Sequence, residues 1–234
     1  MTSLRAALAG ALPGHPAAFG LVEPEGPGWH PLPGLDVARW CPDDSAATAL
    51  GLAEVLGTAV VGRLVAALAL TGSAFDPADL QLHRHERGFV DAVALCGSAM
   101  VDDPAARTVA VLGPVLDAVV AATRPAPLWD VVADSARGAA TTLALHGHHG
   151  AHAVADALVA GFAAHGVPVR PAHREQVAGV EVAVRVTCCL LWTTVPAAER
   201  DAAYCSTCPH LDAGARAARF RRYAEEAGGG AAPG

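Results

Sequence analysis

Apolar residues spaced four apart give the clearest signal along this chain. Leu52, Leu56, Val60, Leu64 and Leu68 form one stripe on a helix, long or kinked, that starts at the capping pair Asp44-Ser45 and ends at Thr71-Gly72. The same period predicts helices over 107–123, with Pro114 inside, over 128–145 after the stop Pro125-Ala126-Pro127, and over 149–165. Their alanine content favours close packing. Period two governs two other stretches. Leu80 and Leu82 on one side of His83-Arg84-His85-Glu86-Arg87-Gly88, and Phe89, Ala92 and Ala94 on the other, predict a hairpin or a strand passing into a helix. Val180, Val182, Val184 and Val186 predict one strand over 177–187 that feeds directly into Cys188-Cys189. Residues 10–40, rich in Pro and Gly, predict irregular chain with at most a short strand near Phe19 to Val22. Asp212 caps a last helix through Arg216, Arg219, Phe220 and Tyr223, and Gly228 to Gly234 reads as a frayed tail. No internal repeat is present. The expectation is an α+β fold, predominantly α-helical with short β elements. A mainly helical body over 1–175 and a C-terminal module over 176–234 pack as one unit.

Composition narrows the chemistry. The 234 residues are 53% hydrophobic and 17% charged, enough to fold a large core. They include no lysine, isoleucine or asparagine. A Walker phosphate loop, a pyridoxal Schiff base and a Ser-Lys dyad each need a lysine amine, so those classes are excluded. With 16 basic against 23 acidic residues the net charge is −7, which opposes a nucleic-acid backbone. Glu54, Arg63, Asp117 and Asp156 interrupt the apolar stretches, so the sequence predicts no transmembrane segment and leaves room only for peripheral membrane association. Arg5 followed by Ala6 to Leu12 and Pro13 imitates a signal peptide weakly, its apolar region being at the bottom of the roughly 7 to 15 residue range. The expectation is a cytoplasmic protein. In a reducing compartment, cysteines crowded together point to metal rather than disulfides.

Four of the six cysteines crowd in this way: Cys188-Cys189, fifteen intervening residues, then Cys205-Ser206-Thr207-Cys208-Pro209. Converging thiolates hold zinc or an iron–sulfur cluster. A Cys-x-x-Cys turn chelates one ion readily. Adjacent cysteines on a strand point to opposite faces, so the backbone at 188–189 must leave regular structure if both are ligands. A two-iron cluster, offering two metal centres, tolerates such a pair better than zinc does, and the spacing favours the cluster without excluding zinc. Pro209 stands where a c-type haem motif needs His, and no βαβ unit accompanies the Cys-x-x-Cys as a thioredoxin-like site requires.

Other residues invite chemistry and are read as structural. His146, His148, His149 and His152 are interrupted by Gly147 and Gly150 and read as a loop or helix cap. His83 and His85 read as the polar face of a strand, and Cys41 and Cys96 as small buried hydrophobes. Arg216, Arg219, Arg221 and Arg222 read as a solvated face paired in part with Glu225 and Glu226, with attraction of an anionic partner as the alternative. Neither Gly-x-Ser-x-Gly nor His-Glu-x-x-His occurs, and no Gly-x-Gly-x-x-Gly follows a strand.

Arg185-Val186-Thr187-Cys188-Cys189-Leu190 followed by Tyr204-Cys205-Ser206-Thr207-Cys208-Pro209 resembles the C-terminal signature of the FhuF-type siderophore-iron reductase family. The match covers about residues 185–210. Gly62-Arg63-Leu64-Val65 and Leu128-Trp129 are fainter echoes of the family, and the stretch before Cys205 is longer than its pattern. The resemblance implies a [2Fe-2S] cluster on Cys188, Cys189, Cys205 and Cys208, with siderophore binding in the 1–175 body. It implies an oxidoreductase that reduces the ferric ion of an imported siderophore by one electron and so releases iron. Such clusters lie near about −400 mV, low enough for many ferric chelates. With no nucleotide fingerprint, the electron must come from a separate ferredoxin or ferredoxin reductase. Two other readings share these residues: a non-catalytic binding module stabilised by zinc, and an iron–sulfur carrier with a different acceptor.

Overall fold

The computed structural model describes residues 2–10, 21–41, 43–85, 90–188, 190, 193 and 195–229. The architecture is α+β and mainly helical, with two small antiparallel sheets. Its spine is a continuous helix from Ala46 to Thr71: α3 (Ala46–Leu56), a π-helical stretch Gly57–Gly62, and α4 (Arg63–Thr71). Ser45 caps it as the sequence predicts, its Oγ accepting from the Thr48 N–H at 3.1 Å. Gly72, at φ 69°, closes the other end in the left-handed conformation. Leu52, Leu56, Val60 and Leu64 are all buried.

Around the spine pack α5 (Pro104–Ala122), α6 (Leu128–Leu145) and α7 (Ala151–Ala164). The sequence reading places α6 at its observed bounds. It starts α5 three residues late, because Asp103 and Pro104 supply the cap and the first turn there. Small residues let α6 lie close on the π-helical stretch: a Cβ at Gly57 would stand 2.9 Å from the Ser135 Cβ and 3.1 Å from the Val132 Cα.

The expected hairpin is present as β2 (Leu80–Arg84) and β3 (Val90–Leu95), and β1 (Trp29–Pro31) adds a third antiparallel strand. That strand and the short helix α2 (Val37–Trp40) lie in the region read as irregular, where the surrounding prolines and glycines hide any periodicity. Val22 forms only an isolated bridge to Ala94; Phe19 lies outside the described residues, as do 86–89 and the tail from 230. α1 (Thr2–Gly10) is a helix whose Leu4 and Leu8 pack into the main core beside α4, where the sequence shows only a short apolar run.

The single strand expected over 177–187 is instead a hairpin. β4 (Arg174–Val177) and β5 (Val180–Ala183) are joined by Ala178 at φ 51° and Gly179 at φ 80°, a two-residue turn that period two cannot reveal. Val177, Val182 and Phe220 form a small second core, Phe220 coming from α9 (Ala213–Gly229). Between lie the 3₁₀ turn Ala197–Glu199 and the short α8 (Arg200–Ala203).

Two helices, Ala46–Thr71 and Pro104–Ala122, are long and apolar enough to cross a membrane by length and composition, where the sequence reading finds no such run. Both charges of the first are accommodated within the protein. Arg63 reaches the carbonyls of Thr58 and Ala59 at 3.3 and 3.4 Å, burial pulling its pKa down to about 10, and Glu54 pairs with Arg185. That helix is mostly buried in the core; the second is covered less.

Candidate functional site

Strand β5 ends at Ala183, and the chain then runs irregularly through Arg185, Val186 and Thr187 to Cys188. What holds this segment is a set of charged residues on α6. Asp134 has a fully buried carboxylate whose Oδ2 accepts the N–H groups of both Val186 and Thr187 at 2.9 Å. Its Oδ1 takes Arg137 at 3.1 Å. Burial, the largest influence, raises the Asp134 pKa, while the two N–H groups and the nearby arginines oppose that shift. One turn earlier Asp130 binds Arg170 through its N–H at 2.8 Å and Nε at 2.7 Å, and the Arg170 guanidinium donates to the Thr187 hydroxyl at 2.9 Å. Arg185 forks onto both Glu54 oxygens of α3 and donates to the Thr187 carbonyl at 3.3 Å. Three residues before the first cysteine are thus clamped from three directions.

The cysteines themselves sit on two turns. The Cys205–Cys208 turn is closed by the Cys208 N–H on the Cys205 carbonyl at 3.1 Å, and it is tied back by the Arg185 N–H on the Thr207 carbonyl at 3.1 Å. The buried Cys208 thiol is in hydrogen-bond contact with both Cys188 and Cys205. Burial pushes its pKa up and Cys188 adds to that, while the His210 N–H and the Cys205 thiol pull it down. The Leu190 N–H meets the Cys188 sulfur at 3.3 Å, made possible by a positive φ of 58° at Leu190. Each of these two sulfurs therefore receives the amide two residues on. Cys189 lies outside the described residues. Among the described residues no group of three or more His, Cys, Asp and Glu stands as a metal-holding set. The geometry brings three of the four expected donors into one neighbourhood without arranging them as ligands, and the thiol chemistry and amide placement fit a thiolate-bound group.

The other candidates resolve into structure. His152 is buried and its Nε2 meets the Glu181 carbonyl at 2.9 Å, fixing α7 to β5. His83 pairs with Asp91 at 2.6 Å across the hairpin. Cys41 packs against the main core, as expected. Cys96 does not: it is exposed, because it lies one residue past the end of β3, where the chain turns out to Asp79. In the arginine stripe, Arg216 pairs with Glu175 of β4 and Arg219 with Asp201, and not with Glu225 as expected, because α9 lies against the hairpin and α8. Arg221 and Arg222 are exposed.

Sequence reasoning passes over Asp130, Asp134 and Arg137. Their signal is three charges within eight residues of an otherwise apolar helix, two of them carboxylates one turn apart. Compared with known proteins, the chain matches no family model, no curated protein and no solved structure.

Proposed function

We propose that this chain is a one-electron oxidoreductase of the kind its cysteine signature resembles, a cytoplasmic ferric-siderophore reductase with a [2Fe-2S] cluster on Cys188, Cys189, Cys205 and Cys208. The observation that supports the reading most is the meeting of Cys188 and Cys205 at the Cys208 thiol, with backbone amides aimed at two of the sulfurs. A [2Fe-2S] group held by these cysteines would supply one-electron chemistry between a ferredoxin or ferredoxin reductase and a ferric chelate, whose Fe³⁺, once reduced to Fe²⁺, is released by its hard oxygen donors.

The chain's own residues have identifiable tasks in such a reaction. The Leu190 and His210 amides stabilise negative charge on sulfur. Asp134 and Arg185 hold the approach to Cys188 rigid, so that little reorganises when charge arrives. No side chain is required as acid or base, since the reaction moves an electron and breaks no covalent bond.

The test is direct. Dithionite-reduced protein, freed of excess dithionite, is mixed with a ferric tris-hydroxamate in the presence of a ferrous chelator. The proposal expects one Fe²⁺ per reducing equivalent lost from the protein, and no reaction in Cys188→Ser or Cys208→Ser variants. A reduced protein that persists with several ferric chelates yet reduces another protein would assign it as a general electron carrier instead.

A further inference from the structure

In a chain of net charge −7, four arginines gather on one short stretch of α9: Arg216, Arg219, Arg221 and Arg222. The first two are held. Arg216 pairs with Glu175, and Arg219 donates to the Tyr204 carbonyl at 3.2 Å and lies 3.4 Å from the Asp201 carboxylate. Arg221 and Arg222 are exposed, and neither makes an ion pair among the described residues. We infer that the surface formed by Tyr204, Ser206, Arg219, Arg222 and Tyr223 is where an acidic electron-donor protein docks, its carboxylates meeting the arginines. The inference rests on the redox reading of the neighbouring cysteines and adds to it the face through which the electron enters.

Position is the first argument. The five residues line a shallow depression of about 280 Å³. Tyr204 and Ser206 flank Cys205 in the chain, and Thr207 alone separates Ser206 from Cys208, so a partner resting here covers the turn that bears two of the sulfurs. The surface is also fixed before anything binds. Arg219 ties α9 to the turn through the Tyr204 carbonyl, and the Tyr223 ring leans on Phe220, which is buried in the second core, with centroids 6.1 Å apart. A surface already in its bound form spends little on ordering itself.

The second argument concerns which partner fits. Tyrosine and arginine are the residues on which interface energy concentrates, and here the Tyr223 side chain, 40% exposed, stands beside Arg222. Guanidinium groups fork onto carboxylates, and the acidic remainder of the chain repels an acidic partner everywhere else, so encounter is steered to this face. A lipid surface is recognised by clusters of roughly 4–8 basic residues, more than the two unpaired arginines present, whereas an acidic loop needs no more than two. Once docked, the reduced partner gives up one electron and is oxidised, the cysteine-held group gains that electron, and no bond is made or broken.

The probe is an oxidised plant-type [2Fe-2S] ferredoxin, which is acidic, titrated by calorimetry into the full-length protein as purified. With both proteins oxidised no electron moves, so the titration judges docking alone. The wild type is expected to bind at low salt and to lose at least about tenfold in affinity at roughly 200 mM salt, where screening acts within about 8 Å. Arg222→Glu is expected to weaken binding about tenfold with melting temperature unchanged, since Arg222 makes no bond that the fold uses, and Arg124→Glu, an equal change of charge at the end of α5, to leave it as in the wild type. Wild-type affinity in Arg222→Glu, an equal loss in Arg124→Glu, or binding insensitive to salt would overturn the inference. A wild type that binds no ferredoxin would overturn it as well, and sedimentation with phosphatidylglycerol vesicles that Arg222→Glu abolishes would then assign the patch to a membrane. Metal and sulfide analysis of the same preparations judges the redox reading separately: zinc in place of iron and sulfide defeats that reading, while the titrations still judge the docking face.

Discussion

Replacing Asp134 by alanine removes the acceptor that fixes the chain at the entrance to Cys188. The carboxylate has no exposed surface and makes three bonds, two to backbone N–H groups at 2.9 Å and one to Arg137 at 3.1 Å. Stripping the partner from a buried donor costs about 1–3 kcal/mol each, and breaking a buried ion pair from one side costs about 3–5 kcal/mol. These overlap, because Arg137 keeps its bond to the Arg170 carbonyl at 3.0 Å. The expected destabilisation is therefore about 3–5 kcal/mol for Asp134→Ala. Asp134→Asn retains one oxygen for the two N–H groups and loses only charge assistance, roughly 1–2 kcal/mol. Urea unfolding measures both, the midpoint falling while the slope stays constant. A loss below 1 kcal/mol for Asp134→Ala would show that the 185–187 segment is held by other means, and would refute this reasoning.

Two further outcomes follow from packing and charge. Gly57→Ala drives a methyl to 3.1 Å from the Val132 Cα, which is backbone and cannot rotate away, so unfolding experiments should show a loss of about 1–3 kcal/mol although alanine is the better helix former. Arg216 holds the Glu175 pKa below its ordinary 4.5, so the folded state binds protons less readily than the unfolded one; this stabilisation is full above 4.5 and is lost as pH falls through the lower folded value. Glu175→Gln should accordingly flatten the acid limb of the stability profile, and a profile identical to wild type would contradict the pairing.

The long helices α3 to α7 were legible because each buries a stripe: the spacing of Leu52, Leu56, Val60 and Leu64 survives even the π-helical stretch, which shifts the register by one residue where every residue but Thr58 is buried. The 180–187 valines were misleading for the opposite reason. Val180 and Val182 alternate on a strand, whereas Val184 and Val186 continue the pattern in sequence after the chain has left the sheet for Asp134. The Cys188, Cys205 and Cys208 neighbourhood could be anticipated from spacing alone. Its supports could not, since Asp130, Asp134 and Glu54 lie 50 or more residues away in sequence, and only the fold brings a carboxylate from one helix onto an amide of another segment.

The central claim, a two-iron cluster on the four clustered cysteines, is tested most directly by metal and acid-labile sulfide analysis of anaerobically purified protein, read beside its visible spectrum. The account predicts about two iron and two sulfide per chain with a red-brown absorption that Cys41→Ser and Cys96→Ser leave intact. One zinc per chain, no sulfide and a colourless protein would contradict it and make the cysteines a structural zinc site.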